Sequence, residues 1–169
     1  MTLVRLLKQI DIIDRNPVDL KNAGSSDFYV NVKKAYGYPK TVNEISEELW
    51  RIMRRDVTCI AASGYGGLSP ATAISLKHNL NLALVRDEAK GYGRNGLIDG
   101  YVPDEQDRIA IVDDVFTTGG TLKDIMRILE PTRAEIVGCY VVVKRGEGEL
   151  SVPLNYLLDF EELLQNGHH

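Results

Sequence analysis

The chain has 169 residues, of which 44% are hydrophobic and 26% are charged, and its formal net charge is −4. This length predicts one domain with a sizeable core, and the weakly acidic charge argues against nucleic acid as a partner. No apolar run approaches the ~18 residues of a membrane span, and Lys8, Asp11 and Asp14 interrupt the start too early for a signal peptide, so a cytoplasmic location is expected.

Apolar spacing and turn residues predict an alternation of helices and strands. In chain order these are a helix over 3–13, a strand over 28–32, a helix over 41–53, a buried strand over 57–62, a loop over 63–67, a helix over 69–78, a strand over 82–85, a glycine-containing segment without apolar period over 86–100, a strand over 109–112, a helix over 122–129, a strand over 136–143, and a short strand and last helix over 152–164. Thr41 and Glu44 have capping-box spacing, and Ser69 with Pro70 has the pattern of a helix start.

This alternation from residue 41 onward predicts an α/β fold with a parallel sheet and right-handed crossovers. Ligands of such sheets collect where the strands end. The segments 63–67, 113–121 and 144–149 each follow a predicted strand, so we expect them to share one edge of the sheet.

The segment from Ile109 to Leu122 carries most of the functional information. Four apolar residues precede Asp113 and Asp114, and a loop of hydroxyls and glycines follows, running from Thr117 to Thr121. Backbone N–H groups ahead of a helix suit a phosphate, whereas ionised carboxylates accept hydrogen bonds from sugar hydroxyls. The segment therefore predicts a site for a phosphate and a ribose.

This segment also resembles the 5-phosphoribosyl-1-pyrophosphate (PRPP) motif of type I phosphoribosyltransferases. The family pattern is four apolar residues, two acidic residues, a short variable step and Thr-Gly-Gly-Thr, and here the last part is Thr118-Gly119-Gly120-Thr121. The resemblance implies a twisted parallel sheet with flanking helices and a small hood formed by the N- and C-terminal segments. An incidental Asp pair in a generic strand–loop–helix is the alternative.

Nearly the whole chain is similar to orotate phosphoribosyltransferases. Segment 20–31 resembles their N-terminal hood, 33–36 continues the match, 86–100 resembles their mobile catalytic loop, and 144–147 resembles the segment whose arginine faces the substrate. The resemblance implies one domain over 1–169, divided into a hood over 1–40, a core over 41–150, a C-terminal hood or edge over 151–165 and a tail over 166–169. The tail ends in His168 and His169 and is interpreted as a possible tag remnant.

The resemblance also implies residue roles, sorted by the part of the substrates that they would contact. PRPP would be held by Asp113, Asp114, Thr117, Thr118, Gly119, Gly120, Thr121, Lys90 and Arg86, and the base by Lys21, Phe28, Tyr29, Thr117 and Arg145. Lys90, Arg86, Asp113 and Asp114 are the catalytic candidates. Mg²⁺ would be held mainly through PRPP, without dedicated protein ligands, and the mobile loop implies a homodimer because in the family it reaches the neighbouring site.

Elementary chemistry independently favours orotate as the base. Orotate carries a carboxylate that uracil and the purines lack, so a selective site should present fixed cations. Lys21 and Arg145 are candidates for this role, although either alone could be a solvated surface charge. For Phe28 and Tyr29 a place in the core is the alternative.

Four positions depart from the family pattern. Asp87 and Tyr92 stand where the mobile loop usually carries a basic residue and a histidine, Gly66 replaces a lysine that some members have, and Asn31 replaces a frequent Asp. Two alternatives therefore stay open: a related transferase for a purine or uracil, and a regulator that binds PRPP without turnover.

The cysteines and histidines offer little chemistry of their own. Cys59 and Cys139 lie in apolar, strand-like runs and are predicted to be buried thiols rather than a disulfide or a metal site. His78 is the sole histidine before the C-terminal pair, so a histidine base or a histidine metal site lacks candidates.

Overall fold

The computed structural model describes residues 2–14, 18–20, 24–26, 28–87 and 96–165. The helices in these ranges are α1 Leu3–Gln9, α2 Pro39–Ile52, α3 Gly64–His78, α4 Gly120–Leu129 and α5 Phe160–Gln165, with 3-10 helices at Val32–Gly37 and Glu130–Thr132. The strands are β1 Ile13–Asp14, β2 Val18–Leu20, β3 Gly24–Ser26, β4 Tyr29–Val30, β5 Cys59–Ser63, β6 Asn81–Val85, β7 Ile98–Gly100, β8 Arg108–Phe116, β9 Glu135–Lys144 and β10 Leu154–Asp159.

A six-stranded sheet in the order β10-β9-β8-β5-β6-β7 forms the centre of the fold. All neighbours are parallel except β7, which pairs antiparallel with β6 at one edge. This arrangement confirms the predicted α/β class and five predicted strands of the sheet, whereas β7 lies in the segment 86–100, for which no strand was predicted. β8 lies inside the sheet because its residues Ile109 to Val112 are apolar and fully buried on both faces.

Two apolar layers cover the sheet, one on each face. On one face Leu7 of α1, Leu49 of α2 and Ile74 of α3 pack on the strands. On the other face α4 contributes Leu122 and Ile125. The N-terminal segment adds two short antiparallel ladders, β1 with β4 and β2 with β3, and its helix shares the first layer. That the N-terminal segment forms a hood separate from the core remains a prediction.

Two predicted helix boundaries in the first half of the chain were wrong. Helix α1 ends at Gln9, and Ile13 belongs to β1. Helix α2 begins at Pro39 instead of at a capping box, since proline at the first helical position has no N–H to satisfy. Thr41 is consequently buried in the first turn, 2% exposed.

The predicted loop over 63–67 and the predicted helix start at Ser69 were also wrong. Helix α3 begins at Gly64, so the glycine-rich segment is its first turn and Pro70 lies inside the helix. Strand β8 is longer than predicted, since it runs through both aspartates to Phe116. Within the described residues no helix combines the length and the apolar character needed to cross a membrane.

Both cysteines are buried, unpaired thiols, as predicted. Cys59 on β5 and Cys139 on β9 belong to the apolar layer beneath α4. Burial raises the pKa of each thiol to about 12. The only internal histidine, His78, ends α3 and stacks on Trp50 with 4.0 Å between the ring centroids, away from the carboxyl ends of the strands.

Candidate active site

Asp113 and Asp114 lie near the end of β8 and are 7% and 8% exposed. Because successive side chains of a strand point to opposite faces, the pair is divided between the two layers. Asp113 lies on the face of β8 that packs against α4, whereas Asp114 lies on the face that packs against α3. The two carboxylates therefore approach the same edge of the sheet from its two sides.

Hydrogen bonds from backbone N–H groups orient both carboxylates. The Asp114 N–H donates to Asp113 Oδ1 at 2.8 Å, and the Val115 N–H donates to Asp114 Oδ1 at 2.9 Å. Burial, together with the charge of Asp114, raises the pKa of Asp113 well above its ordinary value. A buried carboxyl group with a strongly raised pKa beside a second carboxylate is typical of functional sites.

The loop from Thr117 to Thr121 joins this edge to α4. Gly119 has a φ of +85°, a left-handed conformation that favours glycine, and it is the residue before the first helical position. In this described segment no side chain caps the first turn of α4, which leaves its first N–H groups available to an anion. Thr118 and Thr121 are exposed on the same loop.

The first turn of α3 lies directly against Asp114. A Cβ atom on Gly66 would overlap the Asp114 carboxyl group, so the close approach requires glycine at this position. Pro70 lacks the N–H that would otherwise bond to the Gly66 carbonyl four residues earlier. The Tyr36 hydroxyl donates to that carbonyl instead, at 2.7 Å.

Two side chains of the 3-10 helix Val32–Gly37 reach this part of the site. Lys33 Nζ lies 3.1 Å from Asp114 Oδ2. Burial alone would lower the pKa of Lys33, but the Asp114 carboxylate outweighs it, and the net pKa lies above the ordinary value. Burial and the charges of Asp114 and Asp113 also raise the pKa of Tyr36, whose hydroxyl stays protonated.

A cleft of about 640 Å³ opens between α3, α4 and the ends of β6 and β8. Both aspartates, Lys33 and Arg86 line it. Arg86 forms an ion pair with Asp99 on β7, and its Nη1 atom is buried without a hydrogen-bond partner among the described residues. The predicted PRPP ligands Arg86, Asp113 and Asp114 are thus brought to one cleft.

Asp87, one of the four departures from the family pattern, also lines this cleft. The hydroxyl of Ser63 donates to Asp87 Oδ1 at 2.6 Å. Ser63 precedes the first residue of α3 but does not cap it, because its hydroxyl is directed to Asp87. Asp87 therefore has a structural partner in addition to its position in the cleft.

Phe160, at the start of α5, brings two of the predicted base-site residues together. The Phe28 and Phe160 rings lie 6.4 Å apart between centroids, and the Arg145 guanidinium lies 5.3 Å from the Phe160 ring centroid. Burial lowers the pKa of Arg145. The Arg145 N–H donates to the Phe116 carbonyl at 2.8 Å, which ties segment 144–149 to the end of β8. Tyr29 lies on β4 and helps to raise the pKa of Lys33.

Two predicted site residues, Lys21 and Lys90, lie outside the described residues, as does Tyr92, one of the departures from the family pattern. The structure also adds residues that the motifs did not single out for the site, namely Lys33, Tyr36, Ser63 and Phe160. For Lys33 and Tyr36 two sequence signals were available: segment 33–36 continues the family resemblance, and residues three apart share a face of a 3-10 helix.

Residues 37–156 match the model of the phosphoribosyl transferase domain family. An orotate phosphoribosyltransferase of Methanothermobacter thermautotrophicus is 35% identical over 146 residues, which are 86% of this chain and 80% of that protein. The crystal structure of orotate phosphoribosyltransferase from Aeropyrum pernix has a similar fold, with a TM-score of 0.82 at 23% identity over 97% of each chain.

A second solved structure, of Mycobacterium tuberculosis orotate phosphoribosyltransferase in complex with PRPP, has a TM-score of 0.75 at 21% identity and covers 95% of this chain and 96% of that one. The family model covers most of the chain and includes β8, its two aspartates and the loop to α4. The chain therefore belongs to the type I phosphoribosyltransferases and is homologous over most of its length to proteins named orotate phosphoribosyltransferase.

Proposed function

We propose that this protein transfers the 5-phosphoribosyl group from PRPP to orotate, giving orotidine 5′-monophosphate and pyrophosphate, and so acts in pyrimidine biosynthesis. The proposal rests on one observation: three predicted elements meet at the same edge of the sheet. These are the Asp113–Asp114 pair, the Thr117–Thr121 loop and Arg145. Relatives named for this activity, among them the Methanothermobacter protein, support it.

Asp113 and Asp114 are assigned to the ribose. As the bond at the anomeric carbon breaks, positive charge develops on the sugar, and buried carboxylates stabilise that charge without reorganising. Their acceptor oxygens also suit the ribose hydroxyls. The backbone hydrogen bonds that fix both side chains keep these oxygens in place before PRPP arrives.

The loop from Thr117 to Thr121 is assigned to the 5′-phosphate. Its exposed hydroxyls and the uncapped N–H groups at the start of α4 are donors, and the positive end of the helix dipole favours an anion. The loop directly follows β8, which carries both aspartates. This continuous segment therefore fixes the distance between the loop and the aspartates.

Arg145 and Phe28 are assigned to the base, with Phe160 as their common neighbour. A guanidinium can bind a carboxylate through two parallel hydrogen bonds, and aromatic rings provide an apolar contact for a flat base. Tyr29, Thr117 and Lys21 complete the proposed base site.

Lys90 and Arg86 are assigned to the leaving pyrophosphate. A cation at this position stabilises the negative charge that develops as the bond breaks. We propose that segment 86–100 closes as a lid and reaches the neighbouring subunit of a homodimer. Mixing Lys90→Ala and Asp114→Asn subunits, each nearly inactive alone, should then restore activity, because one mixed site combines both intact residues.

Mg²⁺ is proposed to enter the site as part of the substrate, bound to PRPP. Carboxylates are suitable Mg²⁺ ligands in general, but Asp114 is paired with Lys33 and the pKa of Asp113 is raised by burial. In the described part of the chain no group of three His, Cys, Asp or Glu side chains could hold a metal ion. When bound to PRPP, Mg²⁺ would neutralise part of the pyrophosphate charge.

A pyrophosphate-release assay with Mg²⁺, PRPP and separate bases tests the proposal. Orotate should be turned over, whereas uracil, adenine, hypoxanthine and guanine should not. Turnover of another base with none of orotate would assign the protein to a related transferase, and PRPP binding without any turnover would assign it to a regulator.

The base site can be tested in the same assay. Arg145→Gln should raise the KM for orotate about 10- to 100-fold, as expected for the loss of charge-assisted hydrogen bonds, and leave the KM for PRPP unchanged. Arg51→Gln is the matched control, since Arg51 is exposed on α2 and pairs with Glu48.

A further inference from the structure

The 3-10 helix Val32–Gly37 presents Lys33 and Tyr36 on one face, because residues three apart are aligned in a helix with three residues per turn. Both side chains reach the surroundings of Asp114, one through its carboxylate and the other through the first turn of α3. Their neighbours Val32 and Ala35 are fully buried, so the apolar face of the same helix anchors it to the core.

Lys33 fixes one oxygen of Asp114. Its ammonium lies 3.1 Å from Oδ2, while Oδ1 accepts the Val115 N–H at 2.9 Å. Each oxygen therefore has its own donor, and a bond between two charged groups is stronger than a neutral one. The Asp114 side chain is 12% exposed and the Lys33 side chain 39%, so the ion pair closes the carboxylate off on one side.

Tyr36 fixes the backbone that covers Asp114 on another side. Its hydroxyl holds the Gly66 carbonyl at 2.7 Å, and Gly66 approaches the carboxyl group so closely that a Cβ atom would not fit. Because Pro70 supplies no N–H to this carbonyl, the phenol is the hydrogen-bond donor that the structure provides there.

We propose that Lys33 and Tyr36 are positioning residues for Asp114, which they hold between the 3-10 helix and the first turn of α3 in the orientation that the ribose of PRPP requires. The inference rests on the proposed function, since the orientation matters only if the carboxylate binds the ribose. It assigns a role in turnover to two residues that act through another side chain.

The adjacent lysine provides a matched control for the first test. Lys34 lies on the same 3-10 helix but pairs with Asp14 and the Asp11 carbonyl, away from the cleft. Lys33→Met should lower kcat about 10-fold or more while the KM for orotate stays within about 2-fold, as expected for the loss of one charge-assisted bond. Lys33→Arg should restore most of kcat, and Lys34→Met should match the wild type.

Equal kcat for Lys33→Met and the wild type would overturn the proposal. A loss in Lys33→Met that Lys33→Arg does not reduce at all would overturn it as well, because a positioning cation should be replaceable by another cation. Circular dichroism melts on each variant separate these results from unfolding.

A double-mutant cycle tests whether Lys33 acts through Asp114. If it does, Lys33→Met should have no further effect on kcat or on PRPP affinity in an Asp114→Asn background, where no uncompensated charge remains. A further loss of about 10-fold in that background, the size expected of an independent ionic contact, would mean that Lys33 contacts the substrate itself and would overturn its positioning role.

Tyr36→Phe and Tyr38→Phe form the second matched pair, since Tyr38 is exposed on the solvent side. Tyr36→Phe should lower kcat about 3- to 10-fold, in line with one neutral hydrogen bond, and Tyr38→Phe should not change it. Wild-type protein that turns over no base at all would instead refute the proposed function. Titration calorimetry with PRPP would then still test Lys33, because its loss should weaken PRPP binding and the loss of Lys34 should not.

Discussion

The hydroxyl of Tyr36 fills the hydrogen-bonding position that Pro70 leaves empty in α3. The Gly66 carbonyl lies four residues before Pro70 and accepts the phenol at 2.7 Å. Tyr36→Phe should therefore leave a half-buried carbonyl unpaired and lower the free energy of unfolding by about 1–2 kcal/mol. For a chain of this size the melting temperature should fall by about 2–8 °C.

Pro70→Ala tests whether the missing N–H of Pro70 is the reason that the Gly66 carbonyl depends on Tyr36. Alanine supplies the missing N–H, so the cost of Tyr36→Phe should be less than half as large in a Pro70→Ala background as in the wild type. Urea unfolding of the four proteins measures the coupling. The same cost in both backgrounds would show that Pro70 and Tyr36 are independent.

Asp113→Asn should abolish turnover and stabilise the fold. Burial and Asp114 raise the pKa of Asp113, so its ionised form opposes folding at neutral pH. Asparagine keeps an oxygen that can accept the Asp114 N–H and removes the buried charge. Calorimetric melting at pH 7.5 should therefore show a higher melting temperature for the variant, a trade-off common at active sites.

The pH dependence of this effect has a defined sign. Because the folded-state pKa of Asp113 is raised, the destabilisation is relieved as the pH falls through that value, and the gap in melting temperature between wild type and Asp113→Asn should narrow. A difference in melting temperature that grows toward acidic pH would contradict a raised pKa of Asp113 in the folded state.

Asp107 is the matched control, since it is also a buried carboxylate, 6% exposed. Burial would raise the pKa of Asp107, but hydrogen bonds from Thr58, the Asp104 N–H and Tyr101 outweigh it and lower that pKa. Its ionised form therefore contributes stability above the unfolded-state pKa, and this contribution is lost as the pH falls through the folded-state value. Asp107→Asn should accordingly destabilise the protein at neutral pH.

Asp87→Asn should lower the KM for PRPP. The substitution removes a negative charge from the cleft and keeps an oxygen that can accept the Ser63 hydroxyl. Since ionic interactions in an open cleft are screened, the expected change is about 3-fold at low salt and small at about 0.5 M KCl. Steady-state kinetics at both salt concentrations measures it, with exposed Glu105→Gln as the control. An unchanged KM for PRPP at low salt would show that Asp87 bonds to Ser63 but does not affect PRPP binding.

Lys90→Ala should lower kcat far more than it changes PRPP affinity, because a cation that stabilises the leaving group acts mainly in the transition state. Comparing steady-state kcat with the PRPP dissociation constant measured by calorimetry separates the two effects. Lys40→Ala, exposed on α2, is the control. Turnover equal to that of the wild type would remove Lys90 from the catalytic residues.

The parts of the site that are continuous in sequence could be predicted. Asp113, Asp114 and the loop to Thr121 form one segment, so the residue types alone indicated carboxylates beside a phosphate loop. The parallel sheet was predictable for a similar reason, since buried apolar runs alternate with helical spacing. The end of β8 could not be predicted. Because carboxylates are depleted in strands, Asp113 and Asp114 indicated that the strand ends before them, whereas it continues to Phe116.

The remaining contacts depend on how distant segments meet. Lys33 and Asp114 are 81 positions apart, and nothing in the local pattern of either residue specifies the other. The start of α3 was mispredicted because glycines and an internal proline are typical of a loop. Their actual causes, the close approach to Asp114 and the donor on Tyr36, exist only in the folded chain.

The burial of both thiols has a practical consequence for experiments on this protein. Cys59 and Cys139 are the only cysteines of the chain, both are fully buried, and a pKa of about 12 keeps them from forming thiolates at neutral pH. One cysteine introduced at exposed Leu76 should therefore react alone with a maleimide dye. A fluorophore can then test for the proposed homodimer without removal of the native cysteines, whose own slow labelling would report how often the whole sheet opens.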